Sequence, residues 1–507
     1  MEIKLQKFLL VLLFCSALIL AAFAVDGQSL WLDEFGTWKL CSVTSFDKWV
    51  PTFLHWHNSD TQIPLYHFYM FLWARIVPLT EYGLRIANLP WFIMGLYAIL
   101  SALPNNRRFL IIVTLAFGLH PMIWYYMNEA RPYMVIFCGA ALASSWFLYI
   151  LRNDQSYIRQ SDNQIWRLVI GLFILMSTSL LGVIWSVTFF ILAIVVLMRR
   201  IDILKNFALS DSLLLIAASA LLIPVFVHYG VTVINGVGAT ALYENTLMSF
   251  GFGFYELFGL VGLGPGRIEL RDFGIVKLGE YQFVLSIAIT FFIGLLLVGL
   301  AGAYRVNARF LKWALLSFIL PVIILYILGD VKHWRIVGRH LYPLIIPISL
   351  LFAFGFEILI DKYSTSQAVL RIFYLVIGIV VVCCFTYSTY MISTSPIHKR
   401  ENYLVAAEIA TNEIKSGTSV WWVAEKFGAQ YYKVPFSDKV VCKVCNYDFV
   451  LLANPEASEL NGLKQPGLIV YSRQDTYDSN HAISKFIEAE HYVLAQSLMG
   501  FNIWKKP

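Results

Sequence analysis

The chain has 507 residues, of which 59% are hydrophobic and only 14% are charged. An ordinary soluble domain carries roughly 25% charged residues. The composition therefore excludes a soluble protein and predicts a polytopic protein whose main partner is the lipid bilayer. The formal net charge of +6 does not indicate a nucleic-acid partner, because the basic residues lie in short loops between apolar runs.

Eleven apolar runs approach or reach the roughly 17–25 residues that cross a bilayer. They are Phe8–Val25, Leu84–Leu103, Phe109–Met127, Pro132–Leu151, Leu168–Leu181, Ile184–Met198, Ser212–Tyr229, Tyr281–Tyr304, Trp313–Leu328, Leu341–Ile360 and Ile372–Ile392. The fifth and sixth are short, and we expect them to form a hairpin that need not cross fully. The sequence thus predicts a mainly α-helical membrane bundle of about 11 transmembrane helices, with the two termini on opposite sides.

Basic residues mark one side of this bundle. Cytoplasmic loops are enriched in Lys and Arg, and the basic residues of alternate loops are Lys4, Lys7, Arg107, Arg108, Arg152, Arg159, Arg167, Arg199, Arg200, Lys205, Arg305, Arg309, Lys312, Lys362 and Arg371. The N-terminus is accordingly predicted to be cytoplasmic. A cleaved signal peptide ending near Ala24 is the alternative interpretation of the first run. We favour an uncleaved span, because cleavage would free the following segment from its anchor.

Two predicted outer loops, Asp26–Gly83 and Gly230–Glu280, are too long to be simple turns, and loops of that length are usually functional. In the first, Phe46–Trp56 and Pro64–Ile76 have the aromatic, amphipathic character of helices that lie in the membrane interface.

The composition becomes polar after Ile392, which divides the chain into a membrane domain (residues 1–392) and a C-terminal domain (residues 393–507). The predicted elements of the second part are a helix Glu401–Lys415, strands Ser419–Val423, Phe449–Ala453, Leu468–Tyr471 and Tyr492–Ala495, and a helix Ser479–Glu488. Strands that alternate with helices indicate a small extracytoplasmic α/β domain.

The adjacent acids Asp33 and Glu34 lie about eight residues past the first apolar run, between Trp31 and Phe35. They are placed at the outer membrane boundary, where ionised groups are costly to desolvate and usually serve chemistry or ion handling. We predict that one acts as a general base on an attacking hydroxyl while the other orients it or binds a cation. The alternative is a solvated acidic turn.

Further polar groups follow in the outer loops. Asp60–Tyr66 lies near His55 and His57, whose spacing fits no standard zinc pattern, so a divalent metal stays a weak expectation. Glu129 and Arg131 lie in a tight connection between the third and fourth runs. They form either a structural ion pair or a contact that positions the first loop.

A basic cluster, Lys332–Tyr342, lies on the predicted outer side, against the prevailing charge rule. Arginine offers forked donors that match phosphate oxygens, so an anionic lipid phosphate or pyrophosphate is the simplest explanation. Pairing with outer carboxylates is the alternative.

Elsewhere, the absence of a Gly-x-x-x-x-Gly-Lys-Ser/Thr motif gives no support to ATP-driven transport. Cys442 and Cys445 are close enough in sequence for a local disulfide.

These motifs together resemble the GT-C superfamily of membrane glycosyltransferases. They are the acidic pair after the first span, an Asp-x-x-x-Pro-Leu-Tyr segment, Glu-Ala-Arg-Pro-Tyr after the third span, and a late Arg-x-x-x-Arg-His-Leu-Tyr-Pro. The most similar branch holds protein O-mannosyltransferases and lipid A aminoarabinose transferases. The resemblance covers Met1 to about Ile392, and many members of this branch also end in a small extracytoplasmic α/β domain.

The resemblance implies transfer of a sugar from a polyprenyl-phosphate donor on the outer face of a bacterial inner membrane. Asp33 matches the catalytic acid and Glu34 its neighbour. The donor phosphate is expected to contact Arg335, Arg339, His340 and Tyr342, and the supporting residues are Asp60, Tyr66, Glu129 and Arg131. Gln62 and Ile63 depart from the family pattern, which puts the metal in doubt.

A single displacement with Asp33 as base would invert the anomeric centre. The acceptor, whether protein, lipid or glycan, is not determined by these residues. Two alternatives stay open: a transporter or flippase of lipid-linked saccharides, and a glycan polymerase or ligase with a pyrophosphate-linked donor. A transporter predicts ionisable residues near the bilayer midplane, whereas the charged residues here crowd one outer surface.

Overall fold

A computed structural model describes residues 2–56, 59–152, 164–199, 209–234, 246–306, 308–331, 333, 336–365, 368–435 and 449–507. Nine helices in these ranges are long and apolar enough to cross a membrane. Their bounds are Glu2–Ile19 (extended by the π-helix Leu20–Ala24), Glu81–Arg85 with Asn88–Ala102, Tyr133–Arg152, Leu180–Arg199, Leu209–Ile234, Gln282–Val306, Ala308–Val331, Ile345–Thr365 and Ala368–Thr394. The chain is thus a polytopic membrane protein, as the apolar runs predict.

The other two predicted spans are present as apolar helices but are not simple crossings. The third run is a pair, Arg107–Gly118 and Pro121–Met127, bent by 55°. Pro121 opens the second helix of the pair, and the residue before a proline avoids helical backbone, which explains the break. The fifth run is the 14-residue helix Ile165–Thr178, too short to span. The predicted number of about eleven transmembrane helices is therefore reached only if both of these are counted as full spans.

The fifth and sixth runs form the expected tight hairpin. Ser179 between them is fully extended, with φ −167° and ψ 161°. A Cβ added at Gly182 would lie 1.9 Å from the carbonyl oxygen of Leu175, so the two helices approach closely only because residue 182 is glycine.

The helices differ in how far the protein surrounds them. Most of Tyr133–Leu151 (83%) is buried inside the bundle, whereas only 6% of Asp211–Ile234 is. The first is the centre of the bundle, and the second is a peripheral helix. Because lipid replaces water around such a helix, its many exposed Leu, Ile and Val side chains need no protein cover.

The first long loop folds into three short helices, Leu32–Cys41, Phe46–Leu54 and Pro64–Trp73, and a 3₁₀ turn, Ser59–Gln62. The latter two helices agree with the expected interfacial helices, and Pro64 occupies a first helical position where its missing N–H is tolerated. The helix Leu32–Cys41 is not predicted from the sequence. It carries Asp33 and Glu34 in its first turn.

The second long loop and the connection before the helix Ile345–Thr365 add short elements to the same side. Those of the loop are the helices Leu247–Leu257 and Arg267–Phe273 and the 3₁₀ turns Val261–Leu263 and Gly274–Tyr281. The 3₁₀ turn Gly338–Leu344 leads directly into the helix Ile345–Thr365.

The C-terminal region holds a five-stranded sheet in the order β2-β1-β3-β5-β4. The strands are β1 (Val420–Val423), β2 (Phe449–Leu451), β3 (Leu468–Ser472), β4 (Val493–Leu498) and β5 (Phe501–Lys505), and the helices are Tyr403–Lys415, Lys426–Tyr431, Ala457–Leu460, Gln474–Tyr477 and Ala482–Ala489. Strands β2, β1 and β3 are parallel, while β5 runs antiparallel to β3 and to β4. The sheet agrees with the predicted α/β character, and β5 was not predicted.

The C-terminal region packs directly on the first loop. The ring of Phe35 contacts that of Tyr403 edge to face, with centroids 4.8 Å apart. The backbone N–H of Leu30 donates to the Tyr432 hydroxyl at 2.9 Å. These contacts cover the helix that carries Asp33 and Glu34, so the C-terminal region helps to position the candidate site.

Candidate active site

The helix Leu32–Cys41 places two carboxylates in its first turn. Negative charge is favourable there, because the first N–H groups of a helix have no intrahelical partner and the helix dipole is positive at that end. At this position, Oε2 of Glu34 accepts a hydrogen bond from the backbone N–H of Trp31 at 3.3 Å.

Glu34 is completely buried and held by several donors. Arg85 binds it through Nε to Oε1 at 2.9 Å and through Nη2 to Oε2 at 2.6 Å. The backbone N–H of Ala130 adds a third bond to Oε1 at 2.7 Å. Burial alone would raise the pKa of Glu34, but Arg85, together with Arg400 and the N–H of Ala130, holds that pKa below its ordinary value. The Glu34 carboxylate therefore stays ionised, and both of its oxygens accept hydrogen bonds.

Arg85 is a site residue that the sequence reasoning missed. Besides Glu34, it donates to the backbone carbonyls of Gln28 at 2.7 Å and Ser29 at 3.1 Å, and so ties the start of the loop to the second span. A signal was available: Arg85 is a cation at the outer end of an apolar run, where the charge rule disfavours it.

Asp33 has a different environment from its neighbour. Its side chain is 26% exposed, and its Oδ2 lies 3.5 Å from Nη1 of Arg339, whose side chain is 40% exposed. The structure therefore brings together the acidic pair and the late basic cluster, which are 306 positions apart in the chain. Both charged groups keep access to solvent and to a ligand.

The turn that carries Arg339 is built on a buried acid of the second long loop. A Cβ added at Gly338 would lie 2.0 Å from Oε2 of Glu256, so this close approach requires glycine. Glu256 itself pairs with Arg267, whose guanidinium also donates to the hydroxyl of Tyr126 at 2.8 Å. The sequence places Glu256 among the outer acids, but it assigns no role in the site to Glu256 or Arg267.

His340 and Tyr342 lie behind Arg339 rather than beside Asp33. Nδ1 of His340 accepts the backbone N–H of Val337 at 3.1 Å. Tyr342 is buried among aromatic rings, and its hydroxyl donates to Sδ of Met134 at 3.4 Å. Both side chains stabilise the turn. Arg335, His57, Cys442 and Cys445 lie outside the described residues.

Asp60 and Arg131 form a buried ion pair beneath Asp33. The same Arg131 nitrogen, Nη1, donates to the backbone carbonyl of Asp33 at 3.0 Å. Burial would raise the pKa of Asp60, but Arg131 and then His67, 3.6 Å away, hold it well below its ordinary value. The ion pair thus connects the segment that begins at Asp60 with the connection that holds Arg131. It also fixes the backbone of the acidic pair at Asp33.

Glu129 and Tyr66 are buried in the same region. Glu129 Oε1 lies 2.8 Å from Nη2 of Arg400. Burial nevertheless raises the pKa of Glu129, because the attraction of Arg400 does not fully offset desolvation. The Tyr66 hydroxyl has no hydrogen-bond partner among the residues that the structure describes.

Within the described ranges, no group of three or more His, Cys, Asp or Glu side chains is arranged to hold a metal ion. Nδ1 of His55 instead lies 2.8 Å from the carbonyl oxygen of Pro51, on the exposed end of its own helix. The described residues therefore offer no built metal site beside Asp33.

No protein-family model matches the chain, and no curated protein matches its sequence. Among solved structures, the chain is similar to apo ArnT from Cupriavidus metallidurans, with a TM-score of 0.54, 12% identity and 98% of each chain covered. ArnT bound to undecaprenyl phosphate gives a TM-score of 0.49 at the same identity and coverage. The arabinofuranosyltransferase AftD from Mycobacteria gives 0.45, with 11% identity over 99% of this chain and 40% of AftD. This chain is a membrane protein with the GT-C fold, as its four motifs predict.

Proposed function

We propose that the protein is an integral-membrane glycosyltransferase that moves a sugar from a polyprenyl-phosphate donor to an acceptor hydroxyl, with inversion. The observation that supports this best is the 3.5 Å separation of Asp33 and Arg339, both partly exposed. A base and a phosphate-binding cation are the two groups that such a displacement needs side by side. The GT-C fold supports the same reaction class.

In the proposed reaction, the Asp33 carboxylate removes the proton of the acceptor hydroxyl as its oxygen attacks the anomeric carbon. The bond from that carbon to the phosphate oxygen breaks, and polyprenyl phosphate leaves with the electron pair. Arg339 stabilises the charge that develops on the departing phosphate. One displacement on the face opposite the leaving group inverts the anomeric centre.

The neighbouring groups have positioning roles in this proposal. Glu34, predicted with Asp33 as catalytic, has both carboxylate oxygens bound by Arg85. We assign it to holding the helix start. His340 and Tyr342 hold the turn of Arg339 in the same way, instead of contacting the phosphate. A phosphate contact by Arg335 stays a prediction from the sequence.

We propose that the reaction takes place on the outer face of a bacterial inner membrane. The basic loops, including Arg108 at the end of the bundle opposite Asp33, support a cytoplasmic assignment for that end. Nucleotide sugars are cytoplasmic, so an outward-facing transferase requires a donor that the membrane delivers.

The test is a mass-spectrometric assay of purified protein with a panel of polyprenyl-phosphate sugars and outer-envelope acceptors. ArnT binds undecaprenyl phosphate, which makes undecaprenyl-phosphate sugars the first donors to try. We expect one donor to be consumed with formation of a new glycosidic bond, and Asp33→Asn to abolish this at unchanged folding. Asp47→Asn, an exposed acid of the same loop, is the matched control. Near-normal transfer by Asp33→Asn, or movement of a lipid-linked sugar without a new bond, would overturn the proposal.

A further inference from the structure

A second candidate site lies near the start of the helix that carries Asp33, between the membrane bundle and the C-terminal region. It is a cavity of about 150 Å³, open to one side. The segment after the last span and Arg473 of the C-terminal region form part of its wall, with Trp31 and Tyr125 from the bundle side. Trp31 is two positions before Asp33, so the cavity reaches the helix start that carries the proposed base.

Four cations line this cavity: Arg267, Lys399, Arg400 and Arg473. Three of them have carboxylate partners. Arg267 pairs with Glu256, Arg400 with Glu129 at 2.8 Å, and Arg473 with Glu401 at 2.7 Å. Lys399 has no ion-pair partner among the described residues. The set therefore carries an uncompensated positive charge.

Two buried side chains also leave nitrogen atoms without a hydrogen-bond partner in the described part of the chain. One is Nη1 of Arg400, a side chain only 7% exposed, which lies 4.0 Å from Oε2 of Glu34. The other is His398, 7% exposed, of which neither ring nitrogen is bonded. Buried donors without partners are costly and rare, so these atoms are suited to receive a ligand.

Arg339 is not among the residues that line the cavity. Arg339 is at the start of an apolar span, where it can meet a phosphate at the membrane surface. Arg473 and the linker bound the cavity on the side of the C-terminal region, and the charge of Asp33 acts on Arg473 as well as on Arg339. A lipid donor arrives along the membrane, so the second cationic position remains for the other substrate.

We propose that this cavity binds an anionic group, phosphoryl or carboxylate, carried by the acceptor. The inference rests on the proposed function and names the class of its acceptor. Guanidinium forks match both kinds of oxyanion, and Trp31 and Tyr125, whose rings lie within 5.3 Å of the Arg400 guanidinium carbon, give the cavity an aromatic wall for a sugar or lipid portion. The C-terminal region then completes the acceptor site through Arg473.

Inorganic phosphate is the probe for the test, added to the full-length protein at constant ionic strength. Binding is measured from the rise in apparent melting temperature as a function of phosphate concentration. We expect Lys399→Ala and Arg473→Gln to weaken phosphate binding by roughly tenfold or more, because each removes a charge-assisted contact. Lys426→Ala, an exposed cation of the same region, should bind as the wild type does. If Lys399→Ala binds phosphate as strongly as the wild type does, the proposal is wrong. If Arg473→Gln does not fold, Lys399→Ala alone decides the test.

Binding of undecaprenyl phosphate to the same variants separates the acceptor from the donor. We expect it to persist in Lys399→Ala and to weaken in Arg339→Ala. If Lys399→Ala loses undecaprenyl phosphate as strongly as it loses inorganic phosphate, the cavity belongs to the donor and the acceptor assignment is wrong. Neither binding measurement depends on sugar transfer. A negative result here would therefore leave the proposed function, which is tested with Asp33→Asn, unaffected.

Discussion

The guanidinium of Arg85 binds both carboxylate oxygens of Glu34, through Nε at 2.9 Å and Nη2 at 2.6 Å, in a completely buried pair. Asp33, one residue earlier, keeps a partly exposed carboxylate 3.5 Å from Arg339. Two acids that are adjacent in sequence therefore have different environments: Glu34 anchors the helix through a buried ion pair, and the Asp33 carboxylate remains partly exposed.

The anchoring role predicts a loss of stability when the pair is broken. Glu34→Gln leaves Arg85 buried without its counter-charge, which typically costs about 3–5 kcal/mol. The apparent melting temperature in detergent should fall clearly. Asp361→Asn, at an exposed ion pair with Arg108 on the opposite end of the bundle, should change it little. An unchanged melting temperature for Glu34→Gln would contradict the anchoring role.

Arg339 should control the departure of the phosphate. Arg339→Ala removes a donor that stabilises developing charge, and such a loss typically lowers the rate by about 10²–10³. Arg339→Lys should recover part of this, because a point charge replaces the fork. Rates are measured with the donor that the mass-spectrometric assay identifies. Lys48→Ala, an exposed cation of the first loop, is the control; equal rates for Arg339→Ala and Lys48→Ala would remove Arg339 from the mechanism.

Gly36 tests the packing beneath the base. A Cβ at this position would lie 2.0 Å from Oδ2 of Asp60. Gly36→Ala should therefore displace that carboxylate from Arg131, disturb the bond from Arg131 to the Asp33 carbonyl, and lower the transfer rate. Gly27→Ala is the matched control, since nothing lies within 4 Å of its added Cβ. Equal activity of the two variants would show that Asp60 can move without consequence.

The Asp60–Arg131 pair predicts a defined pH dependence. The pKa of Asp60 is depressed in the folded protein, so its stabilising contribution is complete above the unfolded-state pKa of about 3.9. It is lost as the pH falls through the folded-state pKa. Burial lowers the pKa of the neighbouring His67, which disfavours its charged form.

Asp60→Asn should consequently lower the melting temperature equally at about pH 8 and about pH 5.5, and by less below about pH 4. Thermal unfolding of both proteins across this series is the measurement. A penalty that changes between about pH 8 and about pH 5.5 would mean that another group titrates with the pair.

Most of the secondary structure could be predicted because it depends on local pattern. The apolar runs were recognisable from their length alone, and four of five strands from their composition. Strand β5, Phe501–Lys505, follows β4 after a two-residue turn in which Gly500 has φ +77°. A glycine between two short strands is a hairpin signal, and it was overlooked.

The membrane bundle and the α/β character of the C-terminal region could be predicted from the amino-acid sequence, because bilayer thickness and side-chain period act on neighbouring residues. Which acid of the pair is buried and which is partly exposed depends on tertiary contacts. The tertiary structure also placed Arg339 beside Asp33 and brought Arg267, Arg400 and Arg473 to one cavity. Ion pairs form between residues far apart in the chain, and their strength depends on burial, which no local pattern records.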